Sequence, residues 1–520
     1  MLEEIAIRLN SVFCGGKMTE KIKINPRKAG IILHPVSLPG NYGIGCFGKP
    51  AYDFVDFMAE SGIRIWQILP LTPTGADGCP YNSFSAFAGN EILIDIDELF
   101  EKNFAEKPIE MPDFDNFRVD YPKVIDFKAK FLDEAAENFY KVRENYPEFS
   151  VFVEENSSWL RDFALFRVLT KNFEGKSWKF WPLEFRNHDE KALKEFEKAH
   201  ELELFRHFFA QWIFFSQWKK LKSYANEKDI EIMGDIPIFL SFDSADVWAN
   251  QHIFKMSDAV MSEVAGVPPD YFSADGQLWG NPLYDWKVLE KEDFSWWIDR
   301  FLHNLKLYDI LRLDHFRGFS AYWSVPASET TAKNGHWEKG PREKLFETLF
   351  KKAGKIPIVA EDLGDIDADV VKLRENCGFA GMKVLQFAFY EGTDHEFLPH
   401  NYTTTNCVCY TGTHDNDTTV GWFWSLPDGA KSFVTHYLGS NGDDIHWKMI
   451  RLAMSSIAEK ALFPLQDVLG WGGDCRFNVP GTTGPQNWSW RFQKDSLSKY
   501  HSDLLRGIVV AFNRENRKSS

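Results

Sequence analysis

The chain has 520 residues, 44% hydrophobic and 26% charged, the balance of a folded globular protein rather than a disordered one. Lys plus Arg number 59 against 75 Asp plus Glu, a net charge of −16, which argues against a nucleic-acid or anionic-membrane surface as the main partner. Aromatic residues reach 16%, with 46 Phe and 19 Trp, enough for a dense core and also for platforms on which sugar rings stack.

In chain order, residues 1–26 form an N-terminal extension with early acids and no long apolar run, so a signal peptide is not expected, and Met18 is an alternative start. Residues 27–97 alternate short apolar runs with Gly/Pro turns: GIILHP, RIWQILPL and NEILIDI. Between about 100 and 228, apolar residues recur every three or four positions, as in FKAKFLDEAAENFYKVRENY, the spacing of amphipathic helices. From about 229, strand-like runs return, most ending in polar clusters: EIMGDIPIF, DILRLDHFRG, IPIVAEDLG, GMKVLQFAF, NCVCYTGTHDN and ALFPLQDVLG. With GIILHP and RIWQILPL these make eight strands separated by helices. The fold class expected is therefore α/β, a (β/α)8 barrel over 27–520, with the 100–228 tract inserted between the second and third strands. A dinucleotide-binding fold is disfavoured, because the Gly cluster at 40–48 follows Pro39 and opens no helix. Seven scattered cysteines form no CxxC pair and no zinc spacing; Cys407 and Cys409 fall on one strand as buried thiols. No apolar stretch reaches the roughly 18–20 residues of a membrane span. A reduced cytoplasmic enzyme is expected.

Barrel enzymes carry catalytic groups at the C-terminal ends of strands. Three runs end in acids there: Asp314, Glu361 and Asp415, 47 and 54 residues apart. One such acid is commonly only a helix cap, but three behind apolar strands and beside Arg or His point to chemistry. Two carboxyl groups roughly 5–5.5 Å apart, one ionised and one protonated, cleave a glycosidic bond with retention. Arg312 lies two residues before Asp314, on the same face of a strand, and a neighbouring guanidinium favours the ionised form that a nucleophile needs. Glu361 follows Ile358, Val359 and Ala360, an apolar setting that raises a carboxyl pKa, as a general acid requires. Asp415 stands between His414 and Asn416, polar groups suited to sugar hydroxyls.

LRLDHFRG, IVAEDLG and YTGTHDNDT resemble the motifs of the 4-α-glucanotransferases known as amylomaltases or disproportionating enzymes, glycoside hydrolase family 77. The resemblance continues in order through LHPVSLPGNYGIG, WQILPLTPTG, PYNSFSAFAGN, GDIPIF, AGVPPDYFSADGQLWGNPLYDW, PLQDVLG and NWSWR. The 100–228 tract and the residues before 27 match only in character. The resemblance implies a barrel of the α-amylase type, Asp314 as nucleophile, Glu361 as acid/base and Asp415 as transition-state stabiliser. It implies Asp235, Arg312, His315 and His414 around the donor, and Tyr81 and Ser83 in a glucan-contacting loop. Tyr271, Phe272, Gln277 and Trp279 would lie in a lid loop at about 263–286 that covers the acceptor and displaces water. The implied partners are an α-1,4-glucan or maltodextrin donor and a glucose or maltodextrin acceptor, with no cofactor and no metal. A mainly hydrolytic enzyme and a non-catalytic glucan binder are the alternative readings. Two departures from the family pattern, around Cys475 in 470–488 and at Cys46, are expected not to touch the acid trio.

Overall fold

The computed structural model describes residues 27–269, 273–390 and 392–515, so the N-terminal extension lies outside the described residues. Eight short parallel strands form the centre: β1 Lys28–Ile32, β2 Ile65–Gln67, β3 Glu231–Ile236, β4 Ile310–Leu313, β5 Ile358–Ala360, β6 Gly381–Val384, β7 Cys407–Tyr410 and β8 Lys460–Pro464. Six lie wholly within the predicted runs, while β1 begins two residues before GIILHP and β8 one residue before ALFPLQDVLG. They pair in the order β5-β4-β3-β2-β1-β8-β7-β6. The ring closes between β5 and the residue leading into β6, where the Ala360 N–H donates to Ala380 O at 2.8 Å and the Ala380 N–H to Ile358 O at 3.2 Å. Inward-facing Ile32, Ile65, Met233, Ile310, Met382 and Leu462 fill the barrel. A sheet covered on both faces needs strands that are apolar throughout, which is why these runs read as continuous apolar stretches.

The chain between β2 and β3 is mainly helical, with helices Tyr121–Val142, Pro147–Glu155, Leu160–Asn172, Glu190–Ala199 and Glu201–Glu227. Asp120 caps the first of these by accepting the Lys123 N–H, and Pro122 occupies its first turn, where no amide donor is needed. The last, of 27 residues, buries Phe209, Trp212, Phe214 and Trp218 on several faces. It is apolar nearly all round because it lies between the barrel and the outer helices, so it lacks the single stripe of a surface helix. Much of the aromatic content is absorbed here: Phe139 packs against Phe209 at 4.9 Å and Trp212 at 5.0 Å between ring centres. Two glutamines on this helix grip the chain after β2. Gln211 exchanges both amide bonds with Gly89, at 2.7 and 2.9 Å, and Gln217 does the same with Asp95, at 2.8 and 2.9 Å.

The segment expected as a lid loop is partly strand. Glu263–Val267 and Gln277–Pro282 pair antiparallel and join Ala321–Pro326 and His336–Lys339 in a four-stranded side sheet. Val264, Val325 and Ala332 form its small apolar core, which gives the segment a reason to pair.

Near the end of the described residues, Arg514 closes the base of the barrel. Arg514 is completely buried and donates to the carbonyl oxygens of Lys28, Ala453, Met454, Ser456 and Ala458. These carbonyls flank β1 and β8, so one guanidinium staples the first strand to the last. Arg514→Met leaves several buried acceptors unpaired and should lower unfolding free energy by about 3 kcal/mol. Urea unfolding reads this directly; an unchanged midpoint contradicts it.

Candidate active site

Asp235 is the fifth residue of β3 and Arg312 the third of β4, paired directly in the parallel register. Arg312, 4% exposed, donates through Nη1 to Asp235 Oδ2 at 2.5 Å and to Asp314 Oδ1 at 2.9 Å. Tyr81, on the loop after β2, donates its hydroxyl to Asp235 Oδ2 at 2.7 Å. Burial pushes the Asp235 carboxyl above its ordinary range, against the pull of Arg312.

Leu313 and Ala360 are register partners across β4 and β5, so the next residues, Asp314 and Glu361, leave adjacent strand ends side by side. His315 has φ +50°, a left-handed backbone that few residues with a Cβ adopt. That turn points its N–H at Glu361 Oε2, at 2.8 Å, while the Leu363 N–H donates to Oε1 at 3.0 Å. Two amide donors favour a carboxylate. Burial nevertheless wins: it pushes Glu361 up to about 8, with Arg312 opposing and the Asp314 charge reinforcing the rise. The His315 ring is pushed down to about 4 by burial, so it is neutral at pH 7. Its imidazole meets the edge of Trp279 at 4.8 Å.

The third acid sits on the loop that leaves β7. Buried Asp467, just after β8, accepts from Thr411 Oγ1 at 2.6 Å, the Thr419 N–H at 2.7 Å and Thr419 Oγ1 at 2.7 Å, tying both ends of the 411–419 loop. A Cβ at Gly412 would lie 2.8 Å from Gln386 Nε2, so a side chain there would displace the amide that donates to the Asp417 carbonyl. Within the loop, His414 Nε2 lies 2.9 Å from the Tyr81 oxygen and 3.5 Å from Asp415 Oδ2, and the Tyr81 and His414 rings stack at 5.5 Å. Asn478 Nδ2 donates to Asp415 Oδ1 at 2.6 Å and Arg476 Nη2 to the Asp415 carbonyl at 2.6 Å. This corrects the expectation for 470–488: that segment does touch the acid trio. Asn478 lies 63 positions from Asp415, and nothing in its local pattern signals the contact. Trp488 (φ +62°) backs the same wall, 5.8 Å from the Tyr81 ring.

Several expected contact residues serve the walls. The Ser83 hydroxyl is engaged with the carbonyl oxygens of Pro73 and Ser85, each at 2.8 Å, and braces the Tyr81 loop. Asn416 turns its Oδ1 back to the Thr413 N–H at 2.8 Å and hydroxyl at 2.9 Å. Gln277 Oε1 accepts from Trp279 Nε1 at 3.1 Å on the exposed face of the side sheet. Tyr271 and Phe272 lie outside the described residues. Among the described residues, one His/carboxylate group has metal-ligand geometry, Glu263 with His336 and Glu338, on the side sheet rather than at the strand ends. Lys255 Nζ already neutralises Glu338 at 2.5 Å.

An acid held protonated beside a second carboxyl, at the mouth of a (β/α)8 barrel, is the constellation by which glycosidic bonds are broken and re-formed. Comparison with known proteins agrees with that class. The family described as 4-alpha-glucanotransferase matches residues 33–497, and the chain belongs to it. The 4-alpha-glucanotransferase of Synechocystis sp. is 46% identical over 504 residues, covering 94% of this chain and 99% of the relative. That of Thermus thermophilus is 46% identical over 499 residues, with the same coverage of 94% and 99%. The solved structure of amylomaltase from Streptococcus agalactiae in complex with acarbose superposes with a TM-score of 0.91 at 39% identity, covering 94% of this chain and 100% of that one.

Because the Asp314 charge raises the Glu361 pKa, Asp314→Asn should lower the Glu361 titration midpoint, read by carboxyl carbon NMR or difference infrared spectroscopy. A midpoint that stays or rises refutes the electrostatic account.

Proposed function

We propose that the chain is a retaining 4-α-glucanotransferase, with Asp314 as nucleophile, Glu361 as acid/base and Asp415 as the stabiliser of the transition state. The observation that carries the assignment is the register-matched pair at the ends of β4 and β5, in which Glu361 keeps its proton to about 8 beside Asp314. In the first step an Asp314 oxygen attacks the anomeric carbon of the donor while Glu361 gives its proton to the departing glycosidic oxygen. The product is a covalent glycosyl-enzyme and a shortened glucan. In the second step the Glu361 carboxylate takes the proton of an acceptor 4-hydroxyl, whose oxygen displaces Asp314 and restores the original anomeric configuration. Arg312 fixes one Asp314 oxygen through both steps, and Asn478 fixes one oxygen of Asp415.

Water and a sugar hydroxyl compete for the intermediate, and transfer wins where an acceptor displaces water. In this reading Trp279, packed on His315, walls the acceptor side together with Gln277, whose Oε1 accepts from Trp279 Nε1. Among the described residues no helix is long and apolar enough to cross a membrane. The six described cysteines are free thiols, which suits a reducing cytoplasm.

Incubation with maltotriose separates the readings: glucose plus a ladder of longer maltodextrins marks transfer, glucose and maltose without a ladder marks hydrolysis, and no change marks a binder. Asp314→Ala and Glu361→Gln should each abolish the ladder with the fold intact by circular dichroism; near-normal activity in either overturns the assignment. Activity should fall as pH rises through the Glu361 pKa of about 8, because the acid that protonates the leaving oxygen is lost. A flat profile from pH 6 to 10 contradicts that role.

A further inference from the structure

His34 and Ser37 follow β1 and take no part in the reaction as described so far. His34 is 7% exposed, Ser37 1% and His414 6%. His34 Nδ1, Ser37 Oγ and His414 Nδ1 are all buried and have no hydrogen-bond partner among the described residues. All three residues line one cavity of about 20 Å³ between the end of β1 and the 411–419 loop. A lone buried polar atom costs about 1–3 kcal/mol, and three such atoms, on residues that line one water-sized volume, match the roughly three bonds that a buried water makes.

The other face of His414 defines what that water must do. Asp235 Oδ2 already accepts from Arg312, so it also takes the single hydroxyl proton of Tyr81. The Tyr81 oxygen is then left to accept from His414 Nε2. His414 therefore carries its proton on Nε2, and its Nδ1 presents a lone pair to the cavity. The opposite tautomer would set a lone pair against both the Tyr81 oxygen and the Asp415 carboxylate 3.5 Å away.

We infer that one buried water bridges His34 Nδ1, Ser37 Oγ and His414 Nδ1, and that His34 and Ser37 are positioning residues that hold His414 as the Nε2–H tautomer. The water donates one hydrogen to His414 Nδ1. Its second hydrogen and its lone pairs are left for His34 and for the Ser37 hydroxyl, which rotates to suit. The inference rests on the functional reading above only for its effect on rate; the tautomer stands apart from it. Burial is the largest cause pushing both imidazoles down, His34 to about 3 with the His414 ring adding to the fall, and His414 with Arg312 adding and Asp415 opposing, so neither ring carries a charge into the cavity at neutral pH.

The test uses the full chain labelled with imidazole nitrogen-15, the His414 signals being assigned with His414→Gln. The wild type should show His414 protonated on Nε2 alone. His34→Leu and Ser37→Ala should each give a mixture of tautomers and lower kcat for maltotriose disproportionation by about tenfold, at unchanged circular dichroism. His34→Asn, whose amide reaches the place of Nδ1, should recover kcat to within about twofold of wild type. If His34→Leu does not fold, the smaller Ser37→Ala change decides. An unaltered His414 tautomer in a folded variant overturns the inference, as does a high-resolution crystal structure without water density between the three atoms. A wild type that makes no maltodextrin ladder overturns the functional reading instead, and the nitrogen spectra still decide the tautomer.

Discussion

The Arg312 guanidinium is the contact on which the site is built. It is nearly inaccessible to solvent and faces two carboxylates from neighbouring strand ends. A charge in that position is stable only when fully paired, and neither Asp235 nor Asp314 has another cation among its hydrogen-bond partners in the described residues. The pairing also has direction. Tyr81 reaches Asp235, Asp235 reaches Arg312, and Arg312 reaches Asp314, so one line of hydrogen bonds runs from the loop after β2 to the proposed nucleophile.

Glu361 shows how competing terms are resolved a few ångströms away. Its two amide donors favour the anion, and supplying one of them needs a left-handed backbone at His315 that costs on the order of 1 kcal/mol. Those donors fix where the carboxyl points. They do not fix its charge, because removal from water beside Asp314 outweighs them. Orientation and protonation are thus set by different neighbours, and the group is both rigid and protonated.

Much of this was legible in the sequence, for identifiable reasons. A parallel barrel covered on both faces demands apolar strands, and polar groups at their C-terminal ends stand out against them; hence the eight strands and the three acids could be read directly. The same local reading found Arg312, since a two-residue step on a strand is a contact rule. It could not find Asn478, Arg476 or Asp467, whose partners are fixed by where distant loops fold over the barrel mouth. Nor could it find the contacts of Ser83 with the Pro73 and Ser85 carbonyls or of Asn416 Oδ1 with Thr413, because they depend on how the loops turn back on themselves. The lid loop at 263–286 was an implication of the resemblance, and its strands were not legible because Glu263–Val267 pairs with Ala321–Pro326, more than fifty residues further on, and with Gln277–Pro282 across the turn.

The candidate site has two separate mountings. Its acids stand on the barrel, while the chain that presents Tyr81 is clasped at Gly89 by Gln211 of the long inserted helix. That insertion departs from β2 and returns at β3, which are hydrogen-bonded neighbours, so its length and shape can vary without disturbing the closure of the ring. The two mountings are therefore adjustable independently: remodelling the helical layer moves the clasp at Gly89, while the strand register beneath keeps the spacing of the acids.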